Sequence, residues 1–495
     1  MRSFLFSKFA LPLHLAFIFG YLAWVQPGPE SITSYLPLPF FAAGLFEITL
    51  LFPSALKGEE VAETRRRVLR SILRDPVFYI GVAAFLFIVI QTLNGPRELY
   101  FDKVAKVWHH TPGKVSFLPA CLDQILSIQG AFWVMVTSAA ISAIRFGFGK
   151  KARNLFFKLL LAVSSALAIY GLASYAANGG TFVRGALAGF ATPTEAGAFF
   201  IMMSLLAFGM LLQELNAEEP SKYSLRYLLA VFLLNSIAAL YSLSCLSIAA
   251  LVLAIVVVAA YSIIFFAKRN LGGLRLSSLA ALVAIIAVGS FLHYVAYPKN
   301  KLHDCTAKIF NGPWQTQEQI DEARLLRQTA WRIWDKNNLT GIGTWCYGHE
   351  GGMARYIEDD EWDYLTDPDA PHYICGNDFA QFLAEYGTLG FIILISPFAF
   401  LFMLGMTKIV LTYKNGTGKK ISRKASLEDQ ESEVVGFFDI LIPQTFAVLI
   451  AVTTATAMSF FVPVFRNPLN ILTWSTLFAY ICVALPKPRK FEGRK

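Results

Sequence analysis

The main pattern along the chain is a series of apolar runs separated by shorter polar segments. Each run is roughly 20 residues long, which is enough for a helix to cross the ~30 Å hydrocarbon core of a bilayer. The pattern therefore predicts about twelve transmembrane helices. Their approximate bounds are 9–25, 35–56, 77–94, 130–146, 155–177, 196–213, 226–242, 245–267, 277–297, 387–411, 437–460 and 468–486.

The composition supports this interpretation, because 55% of the 495 residues are hydrophobic and only 16% are charged. Soluble domains are about 25% charged. The first apolar run lacks a small-residue cleavage pattern after it, so it is predicted to be a span and not a removed signal peptide. The predicted fold class is an all-α integral membrane protein, with residues 1–495 forming a single polytopic domain.

The net charge of +9 is concentrated in short segments between spans, so it indicates membrane orientation and no nucleic-acid partner. With both termini in the cytoplasm, all the densest basic clusters fall on that side; they are 65–70, 145–153, 268–275, 414–424 and the C-terminal tail. Segment 412–436 then becomes a flexible cytoplasmic loop. Segment 298–386 becomes a large, partly helical extracytoplasmic loop between the ninth and tenth spans.

Most of the polar chemistry lies between residues 324 and 390. Segment 318–334 is predicted to be an amphipathic helix, with Ile320, Ala323, Ala330 and Ile333 at helical spacing. Arg324, Arg327 and Trp331 follow a second stripe. Two arginines on one face suit a diphosphate, because each guanidinium can bind phosphate oxygens through two hydrogen bonds. The alternative is an ordinary surface helix.

Asp378, Gln381 and Glu385 share a stripe where the tenth helix is expected to meet the membrane, and His372 lies just upstream. A histidine beside carboxylates could act as a general base on an acceptor hydroxyl. The alternative is that the stripe caps the helix and binds the loop. Arg184 lies in a glycine-rich outer segment, 178–195, at the level where a lipid diphosphate would lie.

The remaining signals concern cysteines and cofactors. One disulfide among Cys305, Cys346 and Cys375 is possible in an oxidising compartment, and buried free thiols are the alternative. The chain has no CxxC pair, no HExxH motif and no GxxxxGK[ST] phosphate loop. We therefore expect no metal and no cofactor, and an activated substrate supplied from the membrane or the outer side.

The order of several motifs resembles the O-antigen ligase/O-antigen polymerase family. These motifs are Gly180-Thr181-Phe182, Arg327 with Trp331, Gly341 with Gly343, and Asn377-Asp378 followed by Gln381, Leu383, Glu385, Gly387 and Gly390. The resemblance is most specific over about 324–395.

The resemblance implies a metal-independent glycosyltransferase of cell-surface polysaccharide biosynthesis in the bacterial inner membrane. Such enzymes transfer a glycan from an undecaprenyl diphosphate carrier to a hydroxyl of another glycan, a lipid A core or a protein. It implies that Arg327, with Arg184, holds the diphosphate and that a loop histidine assists the acceptor. The predicted catalytic residues are His372, Arg327, Asp378 and Glu385. The predicted substrate-binding residues are Arg184, Arg324, Trp331, Gln381 and Asn377.

Two departures from the family pattern leave other functions open. Gly376 stands where the family commonly has a histidine, directly before Asn377, and segment 241–247 lacks an expected arginine. The main alternative is a transporter or flippase of a lipid-linked or polysaccharide intermediate, which should have related halves and broken helices near the midplane. A catalytically inactive scaffold is a third possibility.

Overall fold

The computed structural model describes residues 2–26, 32–53, 60–102, 107–182, 185–217, 220–268, 317–348, 375–417 and 441–485. The elements below are numbered in chain order. The helices are α1 (Arg2–Val25), α2 (Ile32–Tyr35), α3 (Pro37–Leu51), α4 (Val61–Leu73), α5 (Pro76–Leu93), α6 (Gln124–Ser142), α7 (Lys150–Ala177), α8 (Pro193–Leu215), α9 (Lys222–Leu240), α10 (Cys245–Lys268), α11 (Gln317–Lys336), α12 (Asp378–Thr417), α13 (Pro443–Ser459) and α14 (Pro468–Ala484).

Eleven of the twelve predicted spans coincide with these helices, and the ninth, 277–297, lies outside the described residues. Among the described helices, eight are long and apolar enough to cross a membrane. Shorter apolar helices occur at Phe9–Val25 and Pro468–Ala484. The helical membrane architecture is therefore confirmed, and the count of twelve stays a prediction.

The all-helical character of the chain is confirmed over the described residues, with one short hairpin as a local exception. Strands β1 (Leu99–Asp102) and β2 (Val107–His110) form an antiparallel hairpin in which Leu99 pairs with His110 and Asp102 with Val107. Aromatic and β-branched residues are enriched in strands, and here they occur in two runs too short to dominate a search for apolar helices.

Helix α8 lies at the centre of the bundle, and every residue from Glu195 to Leu212 is buried. It packs against α7, α9, α10, α13 and α14. Its start is fixed by a capping box, in which the Thr192 side chain accepts from the Glu195 backbone N–H and Glu195 Oε2 accepts from the Thr192 N–H. Pro193, at the first helical position, has no backbone N–H to leave unsatisfied.

A smaller second core joins α11 to the start of α12. It contains Cys121, Ala330, Ile333, Ile342, Cys346, Tyr347, Cys375, Ala380 and Ala384. This core fixes part of the long polar segment to the end of the bundle, and the candidate site is built around it.

Candidate functional site

Helix α11 is amphipathic, as predicted, and Arg324 and Arg327 lie on the side of the helix that faces away from the protein core. Leu326, Ala330 and Ile333 are buried against α12 and the 341–347 loop. The side chains of Ile320 and Ala323 lie outside the described residues. Arg324 is exposed and Arg327 is half-buried.

Trp331 completes this outward stripe and is 49% exposed. We call Arg324, Arg327 and Trp331 the outward face of α11. Guanidinium groups bind anionic groups such as phosphate through paired hydrogen bonds, so this face is a candidate surface for an anionic ligand.

Helix α12 is broken near its start, at Gly387. That residue has φ 63° and ψ −178°, a backbone conformation that favours glycine. The break falls at the predicted start of the tenth span, so residues 378–386 form a separate helical segment before it. The predicted loop 298–386 therefore ends in helix.

The connection after α11 fills the break in α12. Ile342 N donates to Ala384 O (3.2 Å), and Gly343 N donates to Glu385 O (2.9 Å). In the opposite sense, the backbone N–H groups of residues 388 and 389 donate to the carbonyls of residues 338 and 339. These bonds satisfy groups that a broken helix would otherwise leave unpaired in a buried position.

Asn377 and Asp378 fix the start of α12 to the α13–α14 connection. The Asn377 side chain accepts from Ala380 N (3.0 Å) and donates to Phe460 O (2.8 Å). Asp378 Oδ2 accepts from Val464 N (2.7 Å) and Phe465 N (2.8 Å). Asp378 is 1% exposed. The geometry is that of a helix cap that also holds a neighbouring loop.

Glu385 and Gln381 belong to a buried network with Arg466. Arg466 Nη2 donates to Glu385 Oε1 (2.5 Å), which also accepts from Gln381 Nε2 (3.0 Å). Gln381 Oε1 accepts from Cys375 N (2.9 Å). The residues of this network are all at least nine-tenths buried. Asp378, Gln381 and Glu385 therefore share one side of α12, as predicted, and this side is buried against other parts of the protein.

Arg466 is the residue that the sequence analysis missed. Its guanidinium lies over the rings of Trp345 (4.7 Å) and Phe382 (5.2 Å). Burial lowers its pKa, but the Glu385 charge and hydrogen bond, and then the Asp378 charge, raise the pKa above its usual value. The available signal was a lone arginine in the short segment between two apolar runs, where it needs a buried acidic partner.

Glu195, at the start of α8, adds a third carboxylate to this region. It lies within electrostatic reach of Asp378 and Arg466. The side-chain amide of Asn470 donates to the backbone carbonyl oxygens of Glu195 (3.0 Å) and Val464 (2.9 Å). We call Glu195, Asp378, Glu385 and Arg466 the buried charge cluster. This cluster contains three acidic groups and one cation, so the positive charge of Arg466 is essential to offset the buried negative charge.

Two of the predicted site residues, Arg184 and His372, lie outside the described residues, so their placement stays a prediction. Gly376 has φ +76°, which explains why this position suits glycine here. A histidine at the same position would have to adopt a conformation that side chains rarely accept.

Cys346 and Cys375 are buried and free, so no disulfide joins them. Cys346 Sγ contacts Asp123 O (3.8 Å), whereas Cys375 Sγ donates to Leu326 O (3.4 Å). Burial raises the pKa of Cys375 to about 12 and that of Cys346 well above its ordinary value. Cys305 lies outside the described residues.

An apolar cavity of about 220 Å³ adjoins the start of α12, between α5, α6, α12, α13 and α14. Its aromatic walls are Trp133, Phe379, Phe382, Phe391, Phe398, Phe465 and Trp474. Asp378 is the one charged residue that lines it, and Phe382 also contacts Arg466. Apolar volume therefore lies directly beside the buried charge cluster.

Within the part of the chain that the structure describes, no group of three His, Cys, Asp or Glu side chains is arranged to hold a metal ion. The exposed and half-exposed arginines of α11 are cations that the described site offers to an anionic ligand.

The family model for O-antigen ligase matches residues 228–395. This stretch contains about two thirds of α9, all of α10 and α11, and α12 through its break. The resemblance stated from the motifs is therefore confirmed over these residues. No curated protein matches the chain.

Proposed function

From the membership of residues 228–395 in the O-antigen ligase family, we propose that the protein transfers a glycan from an undecaprenyl diphosphate-linked donor to an acceptor hydroxyl. The acceptor is a second glycan, a lipid A core or a protein. The protein would act in the bacterial inner membrane, with α11 and the start of α12 on the periplasmic side. Orientation follows from the basic clusters of the short segments.

The family match carries the proposal, because it covers both α11 and the start of α12. Those two helices hold most of the residues proposed to act. In the transfer, the acceptor oxygen forms a bond to the anomeric carbon as the bond from that carbon to the diphosphate oxygen breaks. The diphosphate leaves with the electron pair, and the hydroxyl proton goes to a base.

The outward face of α11 is proposed to bind the diphosphate. Arg327 and Arg324 provide positive charge, and Trp331 offers a ring on which a sugar can pack. Negative charge on the leaving diphosphate grows during the reaction, so fixed cations there stabilise the transition state more than the ground state. Arg184 is proposed as a further cation of this site.

His372 is proposed as the base for the acceptor hydroxyl, in place of the histidine that the family commonly has where this chain has Gly376. A neutral imidazole near pH 7 can take that proton. Moving the histidine four residues upstream leaves position 376 free to adopt its positive φ.

Asp378, Glu385, Gln381 and Asn377 are proposed to position the site, because their hydrogen bonds hold the start of α12 to Arg466, to Cys375 and to the α13–α14 connection. Holding α12, the 341–347 loop and the α13–α14 connection together would keep α11 at a fixed distance from the membrane. Such fixed placement is what makes preorganised charge effective. Part of the donor's isoprenoid chain is proposed to occupy the apolar cavity beside them.

The test uses purified full-length protein in detergent with an undecaprenyl diphosphate-linked oligosaccharide and a panel of acceptors. Wild type is expected to release free undecaprenyl diphosphate and to form an extended or ligated glycan, detected by mass spectrometry. His372→Ala is expected to lower transfer by roughly 100-fold or more, as loss of a general base does.

A different outcome would favour the transporter. Wild type would then bind the lipid-linked donor without cleaving it in the presence of every acceptor, and would move it between leaflets of reconstituted vesicles. Broken helices in transporters use their free backbone groups to bind a substrate or ion. At the break in α12, backbone groups are instead bonded to the 338–343 segment, which favours the transferase.

A further inference from the structure

Helix α4 carries a basic surface far along the chain from the proposed transfer site. It lies between two stretches that are long and apolar enough to cross the membrane, Ile32–Leu51 (α2 with α3) and Pro76–Leu93 (α5). Arg65 Nε donates to Leu51 O (2.9 Å) at the end of α3, and Tyr79 OH donates to Leu73 O (2.9 Å) from the first turns of α5. These bonds fix α4 at the ends of two spans, which is the level of the membrane surface.

The sequence of α4 divides its surface into three stripes with a spacing of four residues. Thr64, Val68 and Ile72 are buried and pack against the bundle. One position later, Leu69 and Leu73 are 41% and 50% exposed. Residues four apart lie on the same side of a helix, so these two leucines form a continuous exposed apolar strip.

The third stripe is basic. Arg66, Arg70 and Arg74 are exposed and follow one another at the same spacing, and the strip of leucines lies between them and the buried stripe. The arginine stripe spans roughly 12 Å along the helix, from the rise per residue. With Arg67 and Ser71 it lines an open concavity of about 490 Å³, in which Glu63 is the only acidic lining residue.

We propose that this surface is a binding site for the headgroups of anionic phospholipids. The leucine strip would enter the acyl region beside the helix while the arginines contact lipid phosphates. This is the arrangement by which an amphipathic helix lies in the plane of a bilayer. Guanidinium groups bind phosphate oxygens in pairs, and several of them at one site favour a headgroup with more than one phosphate, such as cardiolipin.

The site takes a phospholipid and not a soluble phosphate because apolar and basic strips lie side by side on one helix. The positive-inside rule concerns the number of basic residues near a span. Binding of a lipid headgroup depends in addition on where the arginines lie around the helix.

The experiment is native mass spectrometry of the full-length protein after delipidation, titrated with cardiolipin, phosphatidylglycerol and phosphatidylcholine. Cardiolipin is expected to bind most tightly and phosphatidylcholine least. The Arg66→Gln/Arg70→Gln/Arg74→Gln variant is expected to bind cardiolipin on the order of 10- to 100-fold more weakly, as loss of several surface cations implies. Replacement of the same three arginines by lysine should retain most of the binding.

The matched control is Lys150→Gln/Lys151→Gln/Lys222→Gln, which removes the same charge from exposed residues of α7 and α9. It should bind cardiolipin like wild type. Equal loss in the control would overturn the proposal, because net charge alone would then explain the binding. Equal binding of phosphatidylcholine, or full displacement of cardiolipin by millimolar pyrophosphate, would also overturn it.

Discussion

The outward face of α11 and the buried charge cluster both contain arginine, but the arginines lie in different environments. On α11, Arg324 and Arg327 are exposed or half-exposed, and the buried side of the same helix is apolar. In the cluster, Arg466 is 4% exposed and is bonded to Glu385, which is fully buried. An arginine between apolar spans therefore acts as a structural link, whereas an arginine on an amphipathic helix remains accessible to a ligand.

We propose that the acidic residues of the Asp378–Glu385 stripe are essential because they hold the site together. The Asp378–Glu385 stripe lies within the family-matched residues, as does α11. Asp378 contacts the backbone of the α13–α14 connection and Glu385 contacts Arg466, and both of these partners lie outside the match. We therefore infer that the family region is completed by a segment near the C-terminal end of the chain.

The largest expected effect is on stability, from removal of Arg466. Arg466→Ala leaves Glu385 buried without its cation, and loss of one partner of a buried pair costs about 3–5 kcal/mol. Arg327→Ala, at a half-buried position, should cost less than about 1 kcal/mol. Thermal unfolding of both variants in detergent measures the difference.

A double-mutant cycle separates the ion pair from other effects of substitution. The losses of unfolding free energy in Glu385→Gln and in Arg466→Gln should add up to more than the loss in the double variant. The reason is that the second change removes the unpaired charge left by the first. Additive effects would show that the two side chains are not coupled. Unchanged unfolding of Arg466→Ala would contradict the structural role assigned to the cluster.

The next effect tests the break in α12. A Cβ at position 387 would lie 2.4 Å from the backbone of residues 339 and 340, and the residue also has positive φ. Gly387→Ala should therefore destabilise by about 3 kcal/mol or more, since steric overlap adds to the 1–3 kcal/mol cost of strained backbone.

Gly376 provides the matched control for that substitution. It has φ +76°, and an added Cβ there would meet nothing within 4 Å. Gly376→Ala should cost only about 1 kcal/mol, from backbone strain alone. Equal thermal unfolding of the two variants would show that the close passage of the 338–343 segment through the break is absent in solution.

A smaller effect concerns thiol chemistry in the second core. Burial raises the pKa of Cys121 to about 11 and that of Cys375 to about 12. At pH 8, only about one Cys121 side chain in a thousand would be thiolate, which is the reactive form. In a Cys305→Ser background, maleimide should therefore leave Cys121, Cys346 and Cys375 unlabelled in the folded protein, and labelling should increase toward pH 11.

Partly exposed Cys245 serves as the internal reference for that experiment. Peptide mass spectrometry after unfolding should find all three buried thiols available. Rapid labelling of Cys346 in the folded protein would contradict its burial, and a Cys346–Cys375 peptide pair would contradict the free thiols.

The sequence predicted the helical architecture well because apolar runs of membrane length have few other interpretations. The amphipathic helix α11 was also accessible, since its spacing is local information. Arg466 and the passage of 338–343 through α12 were not accessible. Both depend on contacts between segments far apart in the chain, such as Glu385 with Arg466.

The hairpin β1–β2 and the fate of the thiols illustrate the same limit. Four-residue strands carry too little pattern to be predicted from the sequence. Cys346 and Cys375 share a core, but each sulfur bonds to a different carbonyl. Which partner a cysteine meets depends on the packing of α11 against α12, which residue spacing does not determine.

We propose that an accessible arginine of α11 acts on the donor while the buried charge cluster positions the site. The most direct measurement is the rate of carrier release by wild type and Arg327→Ala, with thermal unfolding recorded on the same samples. We predict turnover lower by roughly 100- to 1000-fold, the usual effect of losing a transition-state charge contact, with unchanged unfolding. Wild-type turnover in Arg327→Ala, or a loss that only follows lost stability, would contradict the claim.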